Sequence, residues 1–184
     1  MVSSLPRPAL LLCLLLAAIG TAACGGGEDA PKFNDAGAPF AFSYPADLQK
    51  VFADTGREIK GLEPTFRVAY GTDETNVVVV ATYALQKDVA KVKKTDLAVA
   101  VERAARALAR AMKSDSPKRS KAELGPLPAT QYDFATNSGS LTTRLLYAFQ
   151  GKTQYFVRCQ WDDSGAKAIT AACDEVAQSF SLAK

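Results

Sequence analysis

Leu141-Thr-Thr-Arg-Leu-Leu-Tyr-Ala-Phe149, Gln150-Gly-Lys-Thr153 and Gln154-Tyr-Phe-Val-Arg-Cys-Gln-Trp161 stand in direct succession. Two strand-like runs flank a short segment with a glycine in it, which is the pattern of an antiparallel hairpin. Side chains alternate along a strand, so Tyr155, Val157, Cys159 and Trp161 share one face. Residues 165–180 follow, with Ile169, Ala172, Cys173, Val176 and Phe180 at helical spacing and Ser164 in the capping place. Cys159 and Cys173 therefore aim at the same layer, between sheet and helix. A structural disulfide there closes a loop of about 15 residues, worth on the order of 3 kcal/mol in the chain-entropy model. A redox pair is the alternative. No Cys-x-x-Cys is present and nothing nearby would activate a thiolate.

Working upstream, Tyr132 and Phe134 predict a strand after a loop holding Pro126 and Pro128. Residues 95–112 predict a helix capped by Thr95 or Asp96. At 100° per residue, Leu97, Val101, Ala104, Leu108 and Met112 fall in an apolar arc of about 80°. Four consecutive valines, residues 77–80, are stiff at χ1 and favour a strand covered on both faces. Phe66-Arg-Val-Ala-Tyr70 and Phe40-Ala-Phe-Ser-Tyr44 alternate as strands, and Pro45 stops the second.

The first 23 residues read as an address. Arg7 precedes an apolar run, residues 9–19. Such a run spans roughly 17 Å as a helix, against a bilayer core of roughly 30 Å, so it fits a secretory signal and not a span. It ends Thr21-Ala22-Ala23-Cys24, then three glycines, and this resembles a bacterial lipoprotein signal. That resemblance implies diacylglyceryl transfer to Cys24. Cysteine arithmetic agrees: Cys13 leaves with the signal, and lipidation of Cys24 leaves an even pair for an oxidising compartment. Residues 24–38 have tether composition, so one domain is expected over residues 39–184. The expected location is the extracytoplasmic side of the cell membrane.

An antiparallel sheet with one helix in mid-chain and one at the end predicts an α+β sandwich, the sheet flanked by helices. Here the chain resembles a family. Phe40-Ala-Phe-Ser-Tyr-Pro45 looks like the opening of PsbP-like domains. Tyr155-Phe-Val-Arg-Cys159, followed by a helix closing on Ala177-Gln-Ser-Phe180, looks like their close. With the lipoprotein signal, the chain is similar to the LpqN-type lipoproteins of actinobacteria. The resemblance covers roughly residues 39–182 and implies a PsbP-like fold with an accessory or binding role outside the membrane. It supplies no catalytic residues.

No histidine is present, which removes Ser-His-Asp and Cys-His catalysis and His-ligated metals. Ser164-Gly-Ala-Lys167 matches Ser-x-x-Lys, but the companion Ser-Asp-Asn and Lys-Thr-Gly motifs are missing, so Ser164 reads as a cap. Asp162-Asp163 and Asp174-Glu175 lack the alternating oxygen ligands of a calcium loop. Glu58, Glu63 and Asp133 are scattered. No catalytic residue, metal site or cofactor is expected.

Charge says more. Residues 87–121 hold eleven Lys and Arg against four acids, a local +7, which leaves −5 for the rest of a chain cleaved before Cys24. Arg103, Arg106, Arg110 and Lys113 fall on the helix face opposite the apolar arc. Lys91, Lys93 and Lys94 flank one end, and Lys118, Arg119 and Lys121 the other. These residues predict a contact surface for a protein partner, an anionic lipid or an acidic envelope polymer. Nucleic acid is not expected, because no aromatics interleave for stacking. The leading expectation is a non-catalytic, lipid-anchored accessory or binding module. The alternative is a carrier of a hydrophobic small molecule or lipid, its pocket lined by Phe40, Phe42, Phe66, Tyr70, Tyr147, Phe149 and Phe156.

Overall fold

The computed structural model describes residues 30–51, 63–114, 116–136 and 138–183. The elements run β1 (Lys32–Phe33), β2 (Phe40–Ser43), β3 (Gln49–Lys50), β4 (Phe66–Gly71), β5 (Val77–Ala84), a 3-10 turn (Val89–Lys91), α1 (Lys94–Ala111), β6 (Lys118–Leu124), β7 (Leu127–Ala135), β8 (Thr142–Gln150), β9 (Thr153–Trp161), α2 (Ala166–Ser179) and β10 (Ser181–Leu182). The leader and Cys24 lie outside the described residues.

Seven strands form the main sheet in the order β3-β4-β5-β9-β8-β7-β6, every neighbouring pair antiparallel. The 141–161 hairpin is its centre, and Gly151 makes the turn at φ 57°. Val77 to Val80 are all buried, because the main sheet is covered on both faces.

One face is covered by α2 and by a three-stranded sheet, β1-β2-β10. Val80, Leu146 and Val157 meet Ile169, Val176 and Phe180 there. Cys159 and Cys173 join in a disulfide in this layer, with a Cα–Cα distance of 6.0 Å. The opposite face is covered by α1, whose Val101, Ala105, Leu108 and Met112 pack on Tyr132, Leu145 and Tyr147. Each fully buried large side chain contributes about 1.5–3 kcal/mol, so these contacts and not helix propensity hold α1 in place. The architecture is the expected α+β sandwich, with a small second sheet sharing one outer layer.

Four local expectations are corrected. Ordered structure begins before Pro39: Phe33 lies in the core at 2% exposure, stacked on Phe42 at 5.1 Å. Composition alone had placed this residue in the tether. Neither Thr95 nor Asp96 caps α1; Lys93 stands at the N-cap without a side-chain hydrogen bond. Its buried stripe is turned toward Ala105 and Ala109, with Ala104 only half-buried. Ser164 does not cap α2 either. Asp162 accepts from the backbone N–H of Ser164 and of Gly165, at 2.9 and 3.0 Å, and from the Ser164 hydroxyl. Finally, residues 118–124 form a strand where only a basic flank was read. Gly125 makes the turn to β7 at φ 53°, and its N–H donates to the Ala177 carbonyl of α2.

Candidate functional site

The basic stretch folds into three consecutive pieces. Lys91 ends the 3-10 turn, Lys93 and Lys94 begin α1, Arg103, Arg106 and Arg110 line its outer side, and Lys113 follows it. Lys118, Arg119 and Lys121 lie on β6, the outermost strand of the main sheet. All ten residues are exposed. Among the described residues, Arg106 alone of the ten has an ion-pair partner, Glu102 at 2.7 Å.

Two features set this surface apart from an ordinary solvated helix. Lys93 and Lys94 stand at the positive end of the helix dipole, where a cation costs about 0.3–1 kcal/mol. Helix stability therefore does not explain their place. In addition, β6 extends the helix surface. Arg119 is opposite Tyr132 and Lys121 opposite Thr130 in the β6–β7 register, and the Tyr132 ring packs under α1. Arg119 and Lys121 thus project on the α1 side of the sheet. The Tyr132 hydroxyl is buried without a hydrogen-bond partner among the described residues. Burial raises its pKa, and the guanidiniums of Arg119 and Arg106 pull against that rise while Glu102 adds to it. The β6–β7 register and the packing of Tyr132 under α1 place α1 and the Arg119–Lys121 face of β6 on one surface.

Lys118 does not belong to that surface. Alternation turns it to the α2 side, opposite Asp133. There the structure holds a cluster that the sequence did not announce. Arg144 of β8 pairs with Asp133 and Asp174, each at 3.0 Å, and lies 5.9 Å from the centre of the Trp161 ring. The only hint was a lone arginine in an apolar strand. Its partners on β7 and α2 make it a brace between sheet and helix, beside a shallow groove lined by Glu123, Gln131 and Gln178.

The motifs considered for chemistry are separated. The Ser164 hydroxyl bonds Asp162, as does its own amide, and Asp174 is held by Arg144. Among the described residues no three His, Cys, Asp or Glu side chains gather as metal ligands. The shifted groups have structural causes. Burial raises Tyr70, Tyr132, Tyr147 and Tyr155. Turn hydrogen bonds lower Asp73, first from the Asn76 side chain, and Asp162, first from Ser164.

The aromatics proposed for a carrier pocket are divided by the main sheet. Phe40, Phe42, Phe66 and Tyr70 lie on the α2 side, and Tyr147, Phe149 and Phe156 on the α1 side. Each set is occupied by its own ring contacts, such as Phe40–Phe66 at 5.4 Å and Tyr147–Phe156 at 5.1 Å. The seven cannot line one cavity.

No family model and no curated protein matches this chain. Solved structures do. The chain is similar to cyanobacterial PsbP (CyanoP) from Synechocystis sp. PCC 6803, at TM-score 0.56 and 16% identity, covering 89% of this chain and 99% of that one. A crystal structure from Bacteroides thetaiotaomicron VPI-5482 matches at TM-score 0.52 and 12% identity over 85% of this chain, which spans 50% of that longer protein. LpqN, involved in cell envelope biogenesis of Mycobacterium tuberculosis, matches at TM-score 0.46 and 12% identity, over 86% of this chain and 88% of that one. At these identities the likeness is one of fold, and the fold is PsbP-like. No described helix is long and apolar enough to cross a membrane.

Proposed function

We propose that this chain is a lipid-anchored accessory or binding module of the cell envelope, without catalytic activity, which holds an acidic partner on the surface formed by α1 and β6. The observation that carries the reading is the exposed cation set, nine residues of which stand along α1 and its ends or on the α1 side of β6. Asp96, Glu102 and Glu123 are the acids of α1 and of that side of β6, and Arg106–Glu102 is the one ion pair among the described residues of the set, so cations outnumber acids where a solvated face would tend to balance the two signs.

The envelope assignment rests on the leader, on Cys24 and on the buried Cys159–Cys173 disulfide, which is rare in reducing compartments. A lipidated cysteine carries more than one acyl chain, enough for stable anchoring. The LpqN-type assignment belongs to the same reading.

Intact mass spectrometry of the chain isolated from its own envelope tests the anchor. The expected species begins at Cys24 and carries acyl mass that Cys24→Ser removes. A chain starting at Cys24 without lipid would overturn the anchor.

A further inference from the structure

Residue 30 and α1 lie on opposite sides of the molecule. The first described residues lead into β1, which belongs to the small sheet on the α2 side, whereas α1 covers the other face of the main sheet. Packed layers stand about 10 Å apart and a helix adds a radius of about 5 Å. The outer surface of α1 is therefore about 25 Å from the layer that receives the tether. The layer is entered at Pro31, whose carbonyl accepts from the Tyr44 N–H, and a chain from Cys24 to Pro31 reaches about 25 Å only when fully taut, against a relaxed span of about 15 Å. A domain lying with α1 on its own bilayer would hold that chain at full stretch, against its conformational entropy.

From this we infer that the α1–β6 surface faces away from the anchoring membrane and docks an extended, acidic segment of a protein partner as an added strand on β6. The inference rests on the anchor at Cys24 proposed above. Among the described residues nothing pairs with the outer edge of β6, whose seven residues contrast with the two of β3 at the other edge. Unpaired backbone N–H and C=O groups along such an edge accept a further strand. Lys118, Arg119 and Lys121 repel a second copy of β6 and attract acidic side chains at cross-strand positions. On the α1 side Arg119 and Lys121 meet one set of alternating residues, and Lys118 meets the other. A lipid headgroup fits the charge but not the orientation, and it has no backbone to pair.

The test uses the full lipidated chain in vesicles of phosphatidylcholine and phosphatidylglycerol. A fluorophore is placed at Val99→Cys, exposed on α1, or at Lys32→Cys, and a quencher is attached to the lipid tails. Quenching at position 32 and none at position 99 is expected; strong quenching at position 99 overturns the orientation. In the second arm the unlabelled protein meets a peptide of alternating Glu and Val as long as β6. Binding is expected, weakened at least tenfold by Arg119→Glu with Lys121→Glu, and lost when every second peptide residue is N-methylated. Equal binding of the methylated peptide, or no binding of either, overturns strand addition. A chain that leaves the vesicles without acyl mass overturns the anchor and the orientation with it, while the peptide arm still decides the edge.

Discussion

A Cβ on Gly165 would lie 1.9 Å from the side-chain oxygen of Asn76. That oxygen accepts the Asp162 N–H at 3.0 Å, so the β4–β5 turn and the start of α2 are locked through one buried amide. Gly165→Ala should force Asn76 aside and cost about 2 kcal/mol, as overpacking does. Urea unfolding of that variant checks it. A change within a few tenths would show that this corner yields freely.

The disulfide holds the other end of the same unit. Replacing both Cys159 and Cys173 by alanine should lower stability by about 3 kcal/mol, the loop-closure value for their separation. The same loss should appear when the native chain is unfolded in excess reductant. Equal stability with and without reductant would mean that Arg144 and the apolar contacts of α2 suffice.

Asp73 and Asp162 give a pH dependence. Asp73 accepts from Asn76 and Thr75, Asp162 from Ser164 and Gly165, and both carboxyls are held below the usual value. Folding therefore favours their ionised forms. Their contribution is complete above the unfolded value of about 4 and is lost as pH falls through the lower folded values. An Asp73→Asn, Asp162→Asn chain should unfold with a shallower dependence on pH below about 4 than the native one. Identical acid-unfolding slopes would contradict this.

Tyr132→Phe removes a buried hydroxyl that has no partner among the described residues. The variant should be as stable as the native chain or more so, by up to about 1 kcal/mol. Thermal unfolding checks it, and a marked loss would reveal a bond that this hydroxyl makes in solution.

The sequence disclosed most where burial imposes a period. The 141–161 hairpin, Val77 to Val80 and both helices carry alternation or a helical stripe because one or both sides are buried. Strand β6 was illegible for the opposite reason. Five of its seven residues are exposed, so charge and not alternation fills it. Phe33 was lost to composition: a two-residue strand amid Gly, Asp and Asn leaves no period to detect. At the starts of α1 and α2, position in the sequence suggested Thr95, Asp96 and Ser164 as caps. The backbone instead begins α1 at Lys94 and gives the capping acceptor of α2 to Asp162. For the site, the sequence named the cations but not their arrangement. Only the β6–β7 register puts Arg119 and Lys121 beside α1 and turns Lys118 away.

The claim that the α1–β6 surface binds an acidic partner is tested most directly by two charge-matched variants. In a Cys24→Ser background, one carries Arg103→Glu, Arg106→Glu and Arg110→Glu; the other carries Lys32→Glu, Lys50→Glu and Lys167→Glu, exposed residues elsewhere on the domain. Binding to the producing organism's envelope fraction is measured across a salt series. The expected result is a loss of at least about tenfold in the first variant, the scale of one charge-assisted hydrogen bond or more, and little change in the second. Equal losses in both variants, or none in either, would contradict a specific binding surface on α1.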